Sequence, residues 1–430
     1  MTVEIHHPRL ARCLDGDLDL AVLDTVEALL TEWGTLEIRP LPSGLFAASE
    51  GGGLNPASGY QATWLRDTVH IAHALWRTGE TPRALAALRR LLDFQHKTVH
   101  RFEDVLSGEA DPSDPNQRPH VRFDGESLEE IDMVWAHAQN DALGAVLWLA
   151  ASMWREGAFA PTTEDRSLLA LQVSYLGALP YHSDCDSGHW EEERRVNASS
   201  IGVVCAALRQ LATALEVAGL DALGETWTPA QLRGLCEAGE WWLEEVLPDE
   251  SPPQRGADAA LVFLVEPFRL LDDAQSKAVV DRVRDELEGP HGIRRYTGDS
   301  YWCADYRELV AAELRSTDFS DSTAERDRLL KPGTEAQWCL ADPLLAVWHG
   351  RRWREKRDPE DRAHFERHLR RSLGQITGPG EWCAEGLCPE AWFVESSVEG
   401  SYRPNDQTPL AWTQANLRLA LAEARRVLSG

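Results

Sequence analysis

The sequence predicts an all-α protein, a single domain built as a ring of helical hairpins. Three observations carry this reading. Apolar residues recur with a period near 3.6 through most of the 430 residues. The periodic stretches are separated by Gly- and Pro-rich loops. No shift in composition along the chain marks a second domain. A helical solenoid would repeat at a fixed period of roughly 34–45 residues, and no such period is visible.

The first helix is predicted over 18–33, where Leu18, Val22, Val26, Leu29 and Trp33 fall three or four apart. The pattern returns over 64–77 in Leu65, Val69, Ala72 and Trp76, and over 82–95 in Leu85, Leu88 and Leu92. A long apolar-rich run predicts a helix over 131–154, which would set Trp135 and Gln139 on one face. Helices follow over 166–176, 199–218 and 229–246, marked by Leu169, Val173 and Leu176, then Val204, Leu208 and Leu211, then Leu232, Cys236 and Leu243. The second half adds 257–270, 273–287, 302–314, 336–353 and 359–373, the last carried by Phe365, Leu369 and Leu373. The final helix, 409–427, opens on Thr408-Pro409, an N-cap followed by proline in the first turn. Strand signals are confined to 45–48 and to Val121-Arg122-Phe123. The long loops lie at 51–60, 106–125, 248–256, 289–300 and 378–390, and structureless stretches beyond roughly 12 residues usually carry function or are disordered.

With 43% hydrophobic residues and 17 Trp, the chain can bury a substantial core. Its net charge of -27 comes from 70 acidic and 43 basic residues, and only Lys97, Lys277, Lys331 and Lys356 are lysines. Such a surface repels nucleic acid and anionic membranes. It suits a neutral ligand, solubility, or a salty cytoplasm. The N-terminus carries no basic stretch followed by an apolar run, so a cytoplasmic location is expected. No uninterrupted apolar run approaches 18 residues, so no membrane span is expected. Eight scattered cysteines without Cys-x-x-Cys spacing read as reduced thiols rather than disulfides or metal ligands. The 14 His show no His-Glu-x-x-His spacing, and no phosphate loop, dinucleotide fingerprint or Gly-x-Ser-x-Gly elbow appears. Neither metal nor cofactor is expected.

Two acidic motifs stand out, Trp190-Glu191-Glu192 and Pro389-Glu390. Cleaving a glycosidic bond takes two carboxyl groups on opposite sides of one sugar ring, and an aromatic neighbour offers the apolar surface a sugar face packs against. In Gly188-His189-Trp190-Glu191-Glu192-Glu193, like charges and an apolar wall both raise a carboxyl pKa, as a general acid requires. The plainer reading is a solvated acidic helix start balanced by Arg194 and Arg195. Glu390 follows a proline on a loop flanked by Trp382 and Trp392, a setting for a fixed base. A loop Glu is otherwise usually solvated. Arg66-Asp67 in Tyr60-Gln61-Ala62-Thr63-Trp64-Leu65-Arg66-Asp67 opens a helix and forms a fork able to bond two adjacent hydroxyls of a pyranose. It would reject ligands that leave those groups unpaired. Alternatively Asp67 only favours the helix N-terminus. Trp135 offers a sugar platform, Arg295 a donor and Trp338 a wall, and each is equally readable as core or structural salt bridge.

In order along the chain, Leu45-Phe46-Ala47-Ala48-Ser49, Thr63-Trp64-Leu65-Arg66-Asp67, Trp135 with Gln139 and Asp141, Trp190-Glu191-Glu192, Arg295-Tyr296, Gln337-Trp338, Pro389-Glu390 and Thr408-Pro409-Leu410-Ala411-Trp412 resemble glycoside hydrolase family 15, the glucoamylases. The closing stretch also resembles the glucoamylase-like region of phosphorylase kinase alpha and beta subunits. The resemblance spans about residue 40 to the C-terminus as the catalytic domain, with residues 1–39 adding a first helix to the same barrel.

The resemblance implies a six-hairpin (α/α)6 barrel and an inverting, exo-acting α-glucosidase that takes glucose from the nonreducing end of an α-glucan or oligosaccharide. Glu191 matches the general acid and Glu390 the general base. Arg66 and Asp67 match the sugar-gripping fork, Arg295 a further donor and Glu192 a contact to the next sugar. Trp64, Trp135, Trp190 and Trp338 join the substrate-binding set. There are two departures from the family pattern. Glu193-Arg194-Arg195 separates Glu192 from Val196-Asn197-Ala198-Ser199, and Ala336-Gln337-Trp338 stands in place of Asn-Pro-Trp. They leave linkage preference and substrate length open, as is oligomeric state. The kinase-subunit likeness supports a second reading, a catalytically silent glucan-sensing module.

Overall fold

The computed structural model describes residues 4–50, 53–396 and 401–430. The sequence reading of Met1-Thr2-Val3 and the start of the 51–60 loop lie outside the described residues. Twelve helices build the barrel: α1 Leu20–Trp33, α2 Leu65–Arg77, α3 Thr81–Lys97, α4 Asn140–Arg155, α5 Thr163–Ala178, α6 Ala198–Ala218, α7 Pro229–Val246, α8 Val262–Val265, α9 Asp273–Glu286, α10 Ala341–Lys356, α11 Pro359–Gly374 and α12 Ala411–Leu428. The even-numbered helices close an inner ring, α2 on α4, α4 on α6, α6 on α8, α8 on α10, α10 on α12, and α12 back on α2. Each odd-numbered helix packs outside its partner, with α1 against α12. This is the expected (α/α)6 barrel.

The inner helices are apolar nearly all round because they meet protein on every side. Every residue of α4 from Asn140 to Met153 is buried. For the same reason α6 is long and apolar enough to cross a membrane by length and composition, yet 67% of its most apolar window is buried inside the barrel. Glycines let neighbours approach. A Cβ on Gly144 of α4 would stand 3.2 Å from the Cα of Val204 on α6, and one on Gly202 would stand 2.5 Å from Leu264 of α8. The outer helices carry conventional starts, such as the capping boxes of Thr162 with Asp165 and Thr228 with Gln231.

Two small antiparallel sheets lead into the inner helices. The first joins β1 Thr63–Trp64, β2 Arg122–Asp124 and β3 Glu129–Glu130 in that order; the second joins β4 Gln337–Trp338, β5 Ala391–Glu395 and β6 Ser401–Pro404. Only β2 coincides with a strand signal in the sequence, and 45–48 forms no strand.

Several predicted helices are corrected. The helix expected over 131–154 begins only at Asn140, so Trp135 and Gln139 lie on the irregular segment before it and share no helical face. The stretch 257–270 holds only a 3-10 turn, Ala259–Leu261, and the single turn α8. Pro267 follows closely, and it has no N–H to continue a helix. The stretch 302–314 is a loop with the short turns Tyr306–Leu309 and Ala312–Leu314. Thr408 does not cap α12: its hydroxyl donates back to Asn405 O at 2.8 Å, and Leu410 holds the N-cap position. Three short helices, Pro8–Cys13, His100–Ser107 and Ala324–Asp327, lie outside the predicted elements.

Candidate active site

Five of the six inner helices begin around one cavity of about 90 Å³. One water needs about 10–15 Å³ on this measure, so the space suits one sugar ring better than several. Its wall combines Arg66 and Asp67 from the first turn of α2, Trp135 ahead of α4, His189, Trp190 and Glu191 ahead of α6, Trp338 and Leu340 ahead of α10, and Leu410 and Trp412 at the start of α12. Helix N-termini carry partial positive charge, which favours the carboxylates gathered there. Nine of the ten predicted site residues line this cavity: Trp64, Arg66, Asp67, Trp135, Trp190, Glu191, Arg295, Trp338 and Glu390.

Glu191 is set by a tight turn. Gly188–Trp190 forms a 3-10 turn, and Glu191 ends it in the left-handed region at φ 57°, a conformation non-glycine residues rarely adopt. A two-bond bridge between Asp186 and Arg195 closes the loop behind it, and Asp186 accepts from Asn197 Nδ2 at 2.8 Å and from Asn140 N at 2.9 Å. The Glu191 carboxylate accepts from Arg66 Nη2 and from Gln139 Nε2, each at 3.1 Å. Burial raises its pKa, against the pull of Arg66 and the Gln139 bond.

Glu390 is held from the opposite side of the chain order. The β4–β5 register pairs Trp338 with Ala391, which seats Glu390 beside the wall tryptophan. The backbone is pinned by Cys339 N to Glu390 O at 2.9 Å and Glu390 N to Gln407 O at 3.1 Å. Its carboxylate accepts from Tyr60 Oη at 3.0 Å and from Asn405 Nδ2 at 2.6 Å. Burial pushes its pKa up to about 8, with the Asn405 and Tyr60 bonds opposing.

Arg66 and Asp67 divide the work of the expected fork. Arg66 Nη1 donates to Gln139 Oε1 at 2.7 Å and to Asp141 Oδ2 at 2.9 Å, so its guanidinium organises the wall as well as facing the cavity. Among the described residues no other side chain donates to Asp67, whose pKa burial raises to about 7 despite Arg66.

The aromatic wall is braced by cations and hydrogen bonds. The Arg122 guanidinium lies 4.0 Å from the Trp135 ring and 4.8 Å from Trp64. Trp190 Nε1 donates to Asp258 Oδ1 at 2.8 Å, and the Trp190 and Trp338 rings stand 5.5 Å apart. The indole N–H groups of Trp135, Trp338 and Trp412 find no partner within the described residues.

Glu192 is the tenth predicted residue, and it does not line the cavity. It sits behind the wall, 2% exposed, accepting from Arg295 Nη2 at 2.7 Å, Arg326 Nη2 at 2.5 Å, Arg255 Nη2 at 3.1 Å and Tyr296 Oη at 2.6 Å. Burial alone would raise its pKa, but the arginines hold it well below the usual carboxylate range. Its place is that of a buried anion fixing Arg295. Asp299 grips the same arginine, with two contacts at 2.6 Å.

Sequence reading misses Tyr60, Asn405, Tyr301, Phe319, Arg326 and Trp412 as site residues. Tyr60 and Trp412 stand inside recognised motifs. Nothing local marks the others: Tyr301, Phe319 and Arg326 reach the cavity from distant segments, and Asn405 acts through Glu390. No group of three metal-ligating side chains is found in the cavity among the described residues.

Comparisons with known proteins agree on this fold. A glycosidase variant solved in complex with glucose superposes with a TM-score of 0.65 at 20% identity, covering 98% of each chain. The glucoamylase from Saccharomycopsis fibuligera gives 0.62 at 13% identity, covering 99% of this chain and 97% of that one. A probable phosphorylase b kinase regulatory subunit alpha from Caenorhabditis elegans is 26% identical over 264 residues, 55% of this chain, which covers 21% of that subunit's length. Residues 27–359 match the family model of glycosyl hydrolases family 15, and the chain belongs to that family.

Proposed function

We propose that this protein is an inverting, exo-acting α-glucosidase that releases glucose from the nonreducing end of short α-linked oligosaccharides. The observation that carries the reading is that Glu191 and Glu390, far apart in sequence, line the same sugar-sized cavity. Glu191 is the general acid that protonates the departing glycosidic oxygen. Glu390 is the base that takes a proton from the attacking water, and Tyr60 and Asn405 orient it. General acid–base action of this kind contributes about 10²–10⁴-fold. Asp67 and Arg66 bind ring hydroxyls, Arg295 adds a donor, and the tryptophans exclude water.

The 310–330 segment supports short substrates: its Ser316, Thr317, Phe319 and Arg326 line the cavity, and Asn55 Nδ2 donates to Ala312 O of the same segment at 2.8 Å. Cytoplasmic residence is part of the proposal, supported by eight unpaired thiols.

The test is a panel of maltose, isomaltose, trehalose and maltotriose, with the first-formed anomer followed by NMR. Release of β-glucose is expected, and Glu191→Gln and Glu390→Gln should each abolish it while retaining the wild-type circular dichroism spectrum. Full turnover in either variant removes that residue from its role. Binding without release in the wild type would favour the sensing module that the kinase-subunit likeness supports.

A further inference from the structure

Away from the cavity, helices α10 and α11 bring three histidines together. His349 comes from α10, and His364 and His368 stand one turn apart on α11. One ring nitrogen from each lies within 4.8 Å of the other two. None of the three lines the catalytic cavity.

The three rings lie stacked on one another, and carboxylates orient two of them. His349 Nδ1 pairs with Asp361 Oδ1 at 2.9 Å, and His368 Nδ1 with Asp342 Oδ1 at 2.8 Å. A carboxylate on Nδ1 fixes that nitrogen as a donor, and in the neutral ring Nε2 then carries the lone pair. Both Nε2 atoms are buried and without a partner among the described residues, on side chains 6% and 1% exposed. Carboxylate–histidine pairs of this form orient and enrich metal-bound imidazoles. His364, half-buried, has Glu360 Oε1 at 3.6 Å.

A small cavity of about 70 Å³ borders His349 and His364 and is lined as well by Glu360, Asp361 and Asp281. Arg284, Arg352 and Lys277 also border it. Their charge opposes a cation, but Arg352 is already engaged by Asp361 at 3.0 Å and Lys277 by Asp281 at 2.7 Å.

We propose that His349, His364 and His368 form a site for a zinc-type divalent ion, with water completing the coordination. Three imidazole nitrogens suit zinc and its neighbours in the first transition row rather than magnesium or calcium, which take oxygen ligands. Tetrahedral coordination at about 2.0–2.1 Å brings the nitrogens to roughly 3.4 Å apart, closer than the 4.8 Å within which they stand here. The ion staples α10 to α11 on the barrel wall. The sequence pattern does not show it, because its ligands come from two helices and His364-x-x-x-His368 lacks the glutamate of the pattern sought.

The test uses untagged full-length protein, stripped with chelator and titrated with Zn²⁺ and separately with Co²⁺. Expected are one tightly bound ion per chain by elemental analysis, a Co²⁺ spectrum without a thiolate charge-transfer band, and a Tm that rises with added Zn²⁺. His364→Ala should lose the ion, and Asp361→Asn should weaken it 10–100-fold. His364 is partly exposed, so its substitution leaves the fold intact. No stoichiometric ion, a thiolate band from the cysteines, or binding unchanged in both variants would overturn the site. In the first case, water alone satisfies the two buried nitrogens.

Discussion

The Tyr60 hydroxyl donates to Glu390 Oε1 at 3.0 Å across 330 residues of chain. A hydrogen bond to a carboxylate favours its ionised form, and with Asn405 this bond works against the burial that pushes Glu390 up to about 8. Removing the donor raises that pKa further. A bond to a charged group contributes about 1.5–3 kcal/mol, or roughly one to two pH units. In Tyr60→Phe the acid limb of the kcat/KM profile should therefore move upward by about that much. The measurement is kcat/KM against pH on an active disaccharide. A uniform loss with an unmoved acid limb would show that Tyr60 serves the substrate instead.

Raised carboxyl pKa values also bear on stability. Glu390 and Asp67 sit near 8 and 7 in the folded chain, above the ordinary values near 4. The folded state holds these protons longer than the unfolded state, so the stability they lend is full below about pH 4 and is lost as pH rises through 7 and 8. Glu390→Gln and Asp67→Asn cannot ionise. Each should raise Tm above wild type at pH 8, by a few °C, with the advantage shrinking towards pH 5. Thermal melts across that range decide it, and a pH-independent difference would rule out ionisation as its cause.

The sequence made the barrel legible because inner and outer helices both keep the 3.6-residue period, as Phe365, Leu369 and Leu373 do on α11. It misled where the cavity is built. Trp135, Ala136 and Ala138 are buried like helix residues, but they form an extended approach to α4, so the apolar run outlasts the helix. Trp302 and Tyr306 are likewise buried at helical spacing, inside the loop that brings Tyr301 to the cavity. The carboxylates themselves were visible through their aromatic neighbours. Asn405, Arg326 and the three-arginine surroundings of Glu192 were not, because long-range side-chain contacts leave no local pattern.

Those surroundings set a third expectation. Glu192 is the shared counter-charge of Arg295, Arg326 and Arg255. Breaking a buried ion cluster by removing one partner costs about 3–5 kcal/mol. Glu192→Gln should be destabilised by about that amount at neutral pH, measured by denaturant unfolding. A carboxyl held below its ordinary range lends stability that is present above the unfolded pKa and lost as pH falls through the folded one. The difference from wild type should therefore narrow in strong acid. Loss of activity without loss of stability would return Glu192 to a direct role at the sugar.

The last expectation concerns the backbone of Glu191. At φ 57° a side chain with a Cβ costs roughly 1–2 kcal/mol relative to the right-handed region, whereas glycine enters that region freely. At an ordinary position glycine is less stable than alanine by about 0.5–1 kcal/mol, through the entropy of the unfolded chain. Here the order should reverse: Glu191→Gly at least as stable as Glu191→Ala, with both inactive. Both variants lose the bond to Arg66, so that contact cancels in the comparison. Paired denaturant melts measure the difference directly. Alanine more stable than glycine by the usual margin would mean that the turn relaxes once the carboxylate is gone, and that Arg66 and Gln139, rather than the Asp186–Arg195 bridge, hold Glu191 in its strained pose.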